Sequence, residues 1–187
     1  MKTSNLFKVT VLAITLFAGS SITAQEKTKM VGGAEMYPSK NIVQNAVNSK
    51  DHTTLVAAVK AADLVDVLSS KGPFTVFAPV NKAFEKLPEG VVETLLKPEN
   101  KMKLQTILKY HVVAGKWSAN DLVKLIKDKG GKVSIKTVSG GKITAWMKGK
   151  NVYISDANGG KAKVTIADVN QSNGVIHVIN SVLLPKS

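Results

Sequence analysis

Two hydrophobic periods divide this chain. Through residues 41–130 the apolar positions recur at helical spacing, and from residue 132 onward they alternate with polar ones. Ile42, Val43, Ala46 and Val47 make a first stripe. Leu55, Val56, Val59, Ala62 and Leu68 make a second, with Asp51 or Thr53 suited to cap it and Lys71-Gly72-Pro73 ending it. FTVFAP (residues 74–79) is aromatic, β-branched and uncharged, which predicts a buried strand. Asn81 is placed to cap a short helix running through Phe84 to Leu87, closed by Pro88. A helix, a break at Pro98 and a further helix with Met102, Leu104, Ile107 and Leu108 on its apolar side come next. YHVVAGK (residues 110–116) then reads as strand, and Ser118 with Asp121 forms a capping box for one more helix.

The strand half is more regular. In KVSIKTV, Val133 and Ile135 alternate with Lys132, Ser134 and Lys136. In KAKVTIADV, Ala162, Val164 and Ile166 alternate with Lys161, Lys163 and Thr165. One face is therefore apolar and the other carries lysine. Gly140-Gly141, Gly149 and Gly159-Gly160 mark the turns between strands. GVIHVINSVLLP is almost wholly apolar and predicts a central strand. Helices first, two buried strands among them and hairpins last define an α+β class rather than a βαβ repeat. Residues 25–40, polar with a Gly-Gly and a Pro, show neither period and read as a flexible lead-in.

Composition changes the picture in three places. The first 24 residues have Lys2 and Lys8, an apolar run from Val9 to Ala18 and small residues up to Ala24. That is the order of a secretory signal peptide cleaved after Ala24, and the run is far short of the ~20 residues that span a bilayer. The expected product is secreted or periplasmic, with no later segment able to cross a membrane. There is no cysteine, which excludes thiol catalysis, disulfides and thiolate metal sites. All 26 basic residues are lysines; without Lys2 and Lys8, 24 face 13 acidic residues, a net charge of +11. Such a surface favours anionic partners. The lack of arginine removes the planar fork on which sequence-specific nucleic-acid readout leans.

Known catalytic patterns are missing. His52, His111 and His177 have no local metal-ligand spacing. No nucleophile elbow, phosphate loop or dinucleotide fingerprint occurs. Asp156 and Asp168 are not singled out by their spacing as a hydrolytic pair. No cofactor, metal or catalytic residue is therefore assigned. Trp117, Trp146 and Tyr153 are the aromatics available for a sugar platform. Trp146 and Tyr153 are placed to pair across a hairpin, with core packing the favoured role.

Three stretches carry a resemblance: GPFTVFAPVNKAFEKLP (residues 72–88), LKYHVVAGKWSANDL (residues 108–122) and NGVIHVINSVLLP (residues 173–185). In this order and spacing they resemble the fasciclin domain, over residues 41–187. The resemblance implies a wedge or sandwich of β-strands with helices packed on one side, and a non-catalytic, extracellular role in adhesion to cell-surface or matrix protein. The family's Tyr-His motif falls on Tyr110-His111. An Asp-aliphatic pair, through which adhesive animal members are linked to integrins, falls on Asp168-Val169, with Val169 where isoleucine is common. Val80 stands where threonine is usual and removes a capping hydroxyl; Asn180 stands where aspartate is frequent.

Two functions compete on these residues. The favoured one is a secreted adhesion module that also meets anionic polysaccharide through Lys132, Lys136, Lys142, Lys148, Lys150, Lys161 and Lys163. The rival is a hydrolase or small-ligand protein centred on His111 and His177. Tyr110 and His111 themselves read as framework at a helix-to-strand junction, with a contact surface as the alternative.

Overall fold

The computed structural model describes residues 27–186, so the expected signal peptide, residues 1–24, lies outside the described residues. The lead-in does not stay irregular. Strands β1 (Lys29–Val31) and β2 (Ala34–Met36) form an antiparallel hairpin. Gly32 and Gly33 turn it with φ of 58° and 75°, the positive pair that a tight two-residue hairpin turn requires. Val31 and Met36 are buried in the core, and Gly32 accepts a hydrogen bond from the Lys50 N–H. The expectation of a flexible segment is thus corrected for residues 29–36. The signal was the Gly-Gly pair; the flanking strands are too short to show a period.

Helix α1 (Ile42–Ala46) starts at a reciprocal Asn41/Gln44 capping box. The single second helix expected from the apolar stripe is two: α2 (Thr53–Ala61) and α3 (Val65–Ser69). Between them Asp63 adopts φ 51°. Its N–H donates to the Lys60 carbonyl and that of Leu64 to Val59. These bonds close α2 with a left-handed cap that satisfies its last carbonyls. A short 3-10 turn (Lys50–His52) leads into α2, and neither Asp51 nor Thr53 caps it. The cap comes from Asn81, whose side-chain oxygen accepts from the Thr54 N–H at 3.0 Å. Asn81 therefore serves α2 rather than its own helix α4 (Asn81–Phe84), whose cap position is Val80 and has no side-chain hydrogen bond.

Strand β3 (Phe74–Pro79) is followed, after α4, by α5 (Val91–Leu96), a 3-10 turn at Pro98–Asn100 and α6 (Lys101–Tyr110). Met102 is 82% exposed and not part of the apolar face of α6, which is built from Leu104, Ile107 and Leu108. Then come β4 (Val112–Ala114), α7 (Ala119–Asp128) with its Ser118/Asp121 capping box, β5 (Lys132–Lys136), β6 (Lys142–Lys148), β7 (Asn151–Ser155), β8 (Lys161–Gln171) and β9 (Gly174–Ile179).

Seven strands form one sheet in the order β4-β3-β9-β8-β7-β6-β5. Only β3 and β9 run parallel, which suits their burial: all of β9 is buried. Strand β8 is long because it serves two neighbours. Lys161–Lys163 pairs with β7, and its remainder pairs with β9 through two register shifts. The sheet bends there, and two cores result. One lies between β3, β9, the N-terminal hairpin and helices α1, α2, α3 and α6. The other lies between α7 and the inner faces of β5–β8, and it includes Phe77, Tyr110 and Leu183. This is an α+β wedge of strands with helices on one side.

Candidate functional site

Tyr110 ends α6 and His111 is its C-cap. Neither side chain reaches the surface, at 0% and 3% exposure. The Tyr110 hydroxyl donates to the Lys142 carbonyl at 2.6 Å and accepts from the Ala157 N–H at 3.1 Å. Its ring lies against Gly141, where an added Cβ would come within 2.8 Å of Cε2. His111 Nδ1 donates to the Ile107 carbonyl at 2.8 Å, and Nε2 accepts from the Leu183 N–H at 2.9 Å. These bonds fix the neutral tautomer. Burial pushes the His111 pKa down to about 4, against the smaller opposing pulls of the Ile107 carbonyl and Asp156.

The second expected pair, Asp168-Val169, sits in the irregular middle of β8. Val169 is buried at 1% exposure and points into the core. Asp168 has φ 54°, and its carboxylate accepts from the Ala119 N–H at 2.7 Å, at the first turn of α7. An anion there is favoured by the helix dipole. Its own N–H donates to His177 Nδ1 at 3.3 Å, and His177 Nε2 donates to the Trp117 carbonyl at 2.8 Å. His177 is fully buried, stacked on Phe77, and its pKa is lowered, mainly by burial. The structure thus brings Asp168 and His177 together, and it joins neither to Tyr110 or His111 by a hydrogen bond. Both histidines spend both ring nitrogens on backbone. Asp156 is likewise occupied, accepting from the N–H groups of Asn158, Gly160 and Leu184. A general base needs a free lone pair facing a substrate, and the ring nitrogens of His111 and His177 are committed to backbone instead.

His52, whose neighbours in sequence are polar, is only 3% exposed. Its pKa is lowered by burial, the Ala78 carbonyl and Asp51 opposing. Among the described residues no group of three or more His, Asp or Glu side chains is arranged to hold a metal.

The lysines behave differently. On β5–β8 the inner face takes Val133, Ile135, Ile143, Ala145, Ile154 and Ala162, all buried. The opposite parity faces outward. One cross-strand row reads Lys132, Trp146, Tyr153, Lys163; the next reads Ser134, Thr144, Ser155, Lys161; beyond it Lys136 lies opposite Lys142. Lys148 is on the same face, and Lys150 sits in the β6–β7 turn. No acidic residue occupies any of these outward positions. Among the described residues the one ion pair is Lys101–Asp63, elsewhere in the molecule. Trp146 and Tyr153 stack at 4.8 Å between centroids with 21° between planes, and Lys161 Nζ lies 5.8 Å above the Trp146 ring. The Trp146 indole N–H donates to the Ser155 hydroxyl at 2.8 Å. The core role expected for these two aromatics is therefore corrected: both stand half-buried on the lysine face. Parity carried the signal, since Trp146 shares it with Lys142 and Lys148.

The outward face of β5–β8 is thus cationic with an aromatic centre. The fasciclin domain family model matches residues 50–185, and the chain belongs to that family. Its members typically serve as cell-adhesion and matrix-interaction modules. The chain is 45% identical over 174 residues to protein sll1483 of Synechocystis sp. (strain ATCC 27184 / PCC 6803 / Kazusa), covering 93% of this chain and 89% of that one. It is 38% identical over 131 residues to the pig (Sus scrofa) transforming growth factor-beta-induced protein ig-h3, covering 70% of this chain but 17% of that protein. The fold matches a FAS1 domain pair from the insect cell adhesion molecule fasciclin I with a TM-score of 0.69 at 23% identity, over 78% of this chain and 51% of that one. Among the described residues no helix is long and apolar enough to cross a membrane.

Proposed function

We propose that this chain is an exported, non-catalytic adhesion module that contacts an anionic polysaccharide through the outward face of β5–β8. One observation carries the reading: six lysines and the Trp146–Tyr153 stack share a face that has no acidic residue. Like charges directly opposite one another on a sheet destabilise it, yet Lys136 and Lys142 are paired in this way. An anionic partner offsets that repulsion. The aromatic rings supply an apolar surface for the carbon face of a sugar ring, and the flanking ammonium groups meet its carboxylates or sulfates.

The test is retention on an immobilised acidic polysaccharide across a salt gradient. The wild type should bind at low ionic strength and elute as salt screens the lysines. A Lys132→Gln/Lys136→Gln/Lys163→Gln variant should elute earlier, and Trp146→Ala should weaken retention without changing the salt dependence. Equal elution of the triple variant and the wild type would refute this surface.

A further inference from the structure

A second site lies in the other core. Helices α1 and α2, strands β3 and β9 and the N-terminal hairpin enclose a cavity of about 90 Å³. Its wall is almost wholly apolar, with Val31, Met36, Ile42, Leu55, Val59 and Ile176 prominent. Lys60, exposed, stands at its rim. Among the described residues the one buried side-chain polar atom without a hydrogen-bond partner is Nε2 of His52, which lines this wall. His52 Nδ1 is held by the Ser49 hydroxyl at 2.9 Å, which orients the ring. The Ala78 carbonyl is close enough to favour a proton on the imidazole, but no hydrogen bond of normal geometry forms to Nε2.

A buried polar nitrogen without a partner carries a desolvation cost of ~1–3 kcal/mol. Water answers it poorly, because a buried water needs ~2–4 polar partners and this wall supplies too few. A guest that is apolar along its length and polar at one end answers both the wall and the nitrogen. The Ser49 hydroxyl can donate to Nδ1 or accept from it, so Nε2 is either a donor or an acceptor. A hydroxyl serves either case, which a carbonyl or an amine does not do equally. An engineered apolar cavity of ~150 Å³ takes benzene, with its six non-hydrogen atoms, so this smaller one suits about four.

We propose that the cavity between α1, α2 and the N-terminal hairpin binds a small aliphatic alcohol, with the hydroxyl on His52 Nε2 and the chain among Val31, Ile42, Leu55 and Val59. Part of its wall (Val31, Met36, Ile42, Val43, Ala46) precedes residue 50, where the family match begins. The site is independent of the lysine face and stands or falls separately from it.

The probes are 1-propanol and propane, followed by methyl and imidazole NMR on the mature protein. 1-Propanol should shift the methyl resonances of Val31, Ile42, Leu55 and Val59 saturably and move the His52 Nε2 resonance; propane should leave Nε2 unmoved. In His52→Phe the ratio of propanol to propane affinity should fall about threefold to tenfold, the worth of one hydrogen bond. Ala46→Leu, which fills the cavity from α1, should fold and lose the propanol shifts. Absence of saturable shifts in the wild type, an unmoved His52 Nε2 or an unchanged affinity ratio in His52→Phe would overturn the proposal. So would undiminished propanol binding to Ala46→Leu, or failure of that variant to fold, which would mean that no room exists.

Discussion

Acidification should unfold this domain earlier than its carboxylates alone would allow, because all three histidines are buried and neutral. His111 is the best defined. Its pKa is about 4 in the folded chain against 6.5 for an ordinary histidine. Below pH 6.5 the unfolded chain takes up a proton at this position that the folded chain refuses. Stability is therefore complete above pH 6.5 and declines as pH falls, until the folded state also protonates near pH 4. At ~1.4 kcal/mol per pH unit this amounts to about 3 kcal/mol, a large share of the ~5–15 kcal/mol that holds a domain together. His52 and His177 are lowered by burial too and act in the same direction. Glu35 and Asp121 have pKa values already held below the ordinary carboxylate range by their hydrogen bonds, so they leave the window from pH 6.5 to 5 to the histidines. Urea unfolding at half-unit steps between pH 7.5 and 5 measures the effect. His111→Phe should lower stability at pH 7.5 by about 1–3 kcal/mol, since the buried Leu183 N–H loses its acceptor. It should also flatten the pH dependence by about one proton. A wild type equally stable at pH 7.5 and 5, or a variant with the wild-type slope, would refute the reasoning.

Other consequences are narrower. Asp168→Asn keeps an acceptor for the Ala119 N–H and tolerates the left-handed backbone, so it should cost only ~0.3–1 kcal/mol through the lost charge at the helix terminus. Asp168→Ala loses the bond as well and should cost more, a difference that thermal melts resolve. Gly174→Ala places a Cβ 2.1 Å from the Phe74 carbonyl oxygen, at the start of the parallel β3–β9 pair. It should forfeit soluble expression or lower the melting midpoint by many degrees. Gly32→Ala meets the Ser49 hydroxyl at 2.3 Å and the Asp51 nitrogen at 2.6 Å at φ 58°. Faster amide exchange confined to residues 29–36 and the 3-10 turn at Lys50–His52 should report it.

The strand half was legible because alternation is a two-residue signal that each strand repeats. It placed the lysines and the apolar residues on opposite faces, and the register puts Lys132, Trp146, Tyr153 and Lys163 in one row. For Trp146, size argues for the core and parity for the surface; parity decides, since Ile143 and Ala145 already fill the inner face of β6. The helical half was legible in outline and wrong in its joints. Asp63 ends α2 through a left-handed backbone that a stripe of apolar residues cannot reveal, and Asn81 caps a helix 27 residues earlier in the chain. His52 was hidden for the same kind of reason. Its neighbours in sequence are polar, and only the packing of α1, β3 and the hairpin around it makes it internal.

Polar pairing between segments distant in sequence also bears on function. His111 links α6 to the C-terminal segment at Leu183, and His177 links β9 to β8 and to the segment before α7. Tyr110 reaches Lys142 and Ala157 on the strand half. The polar side chains that look most like an active site are therefore the ones that join the two cores, because each closes a contact between segments distant in sequence. Removing any of them leaves backbone groups at these junctions unpaired, so on the proposed adhesive role a binding defect in such a variant would follow loss of folding. The outward lysines carry no such duty. Their ammonium groups make no ion pair among the described residues, and their backbone belongs to strands whose inner side chains already secure them. Charge on that face can change while the fold persists, so a binding defect produced there would report on the proposed contact rather than on folding.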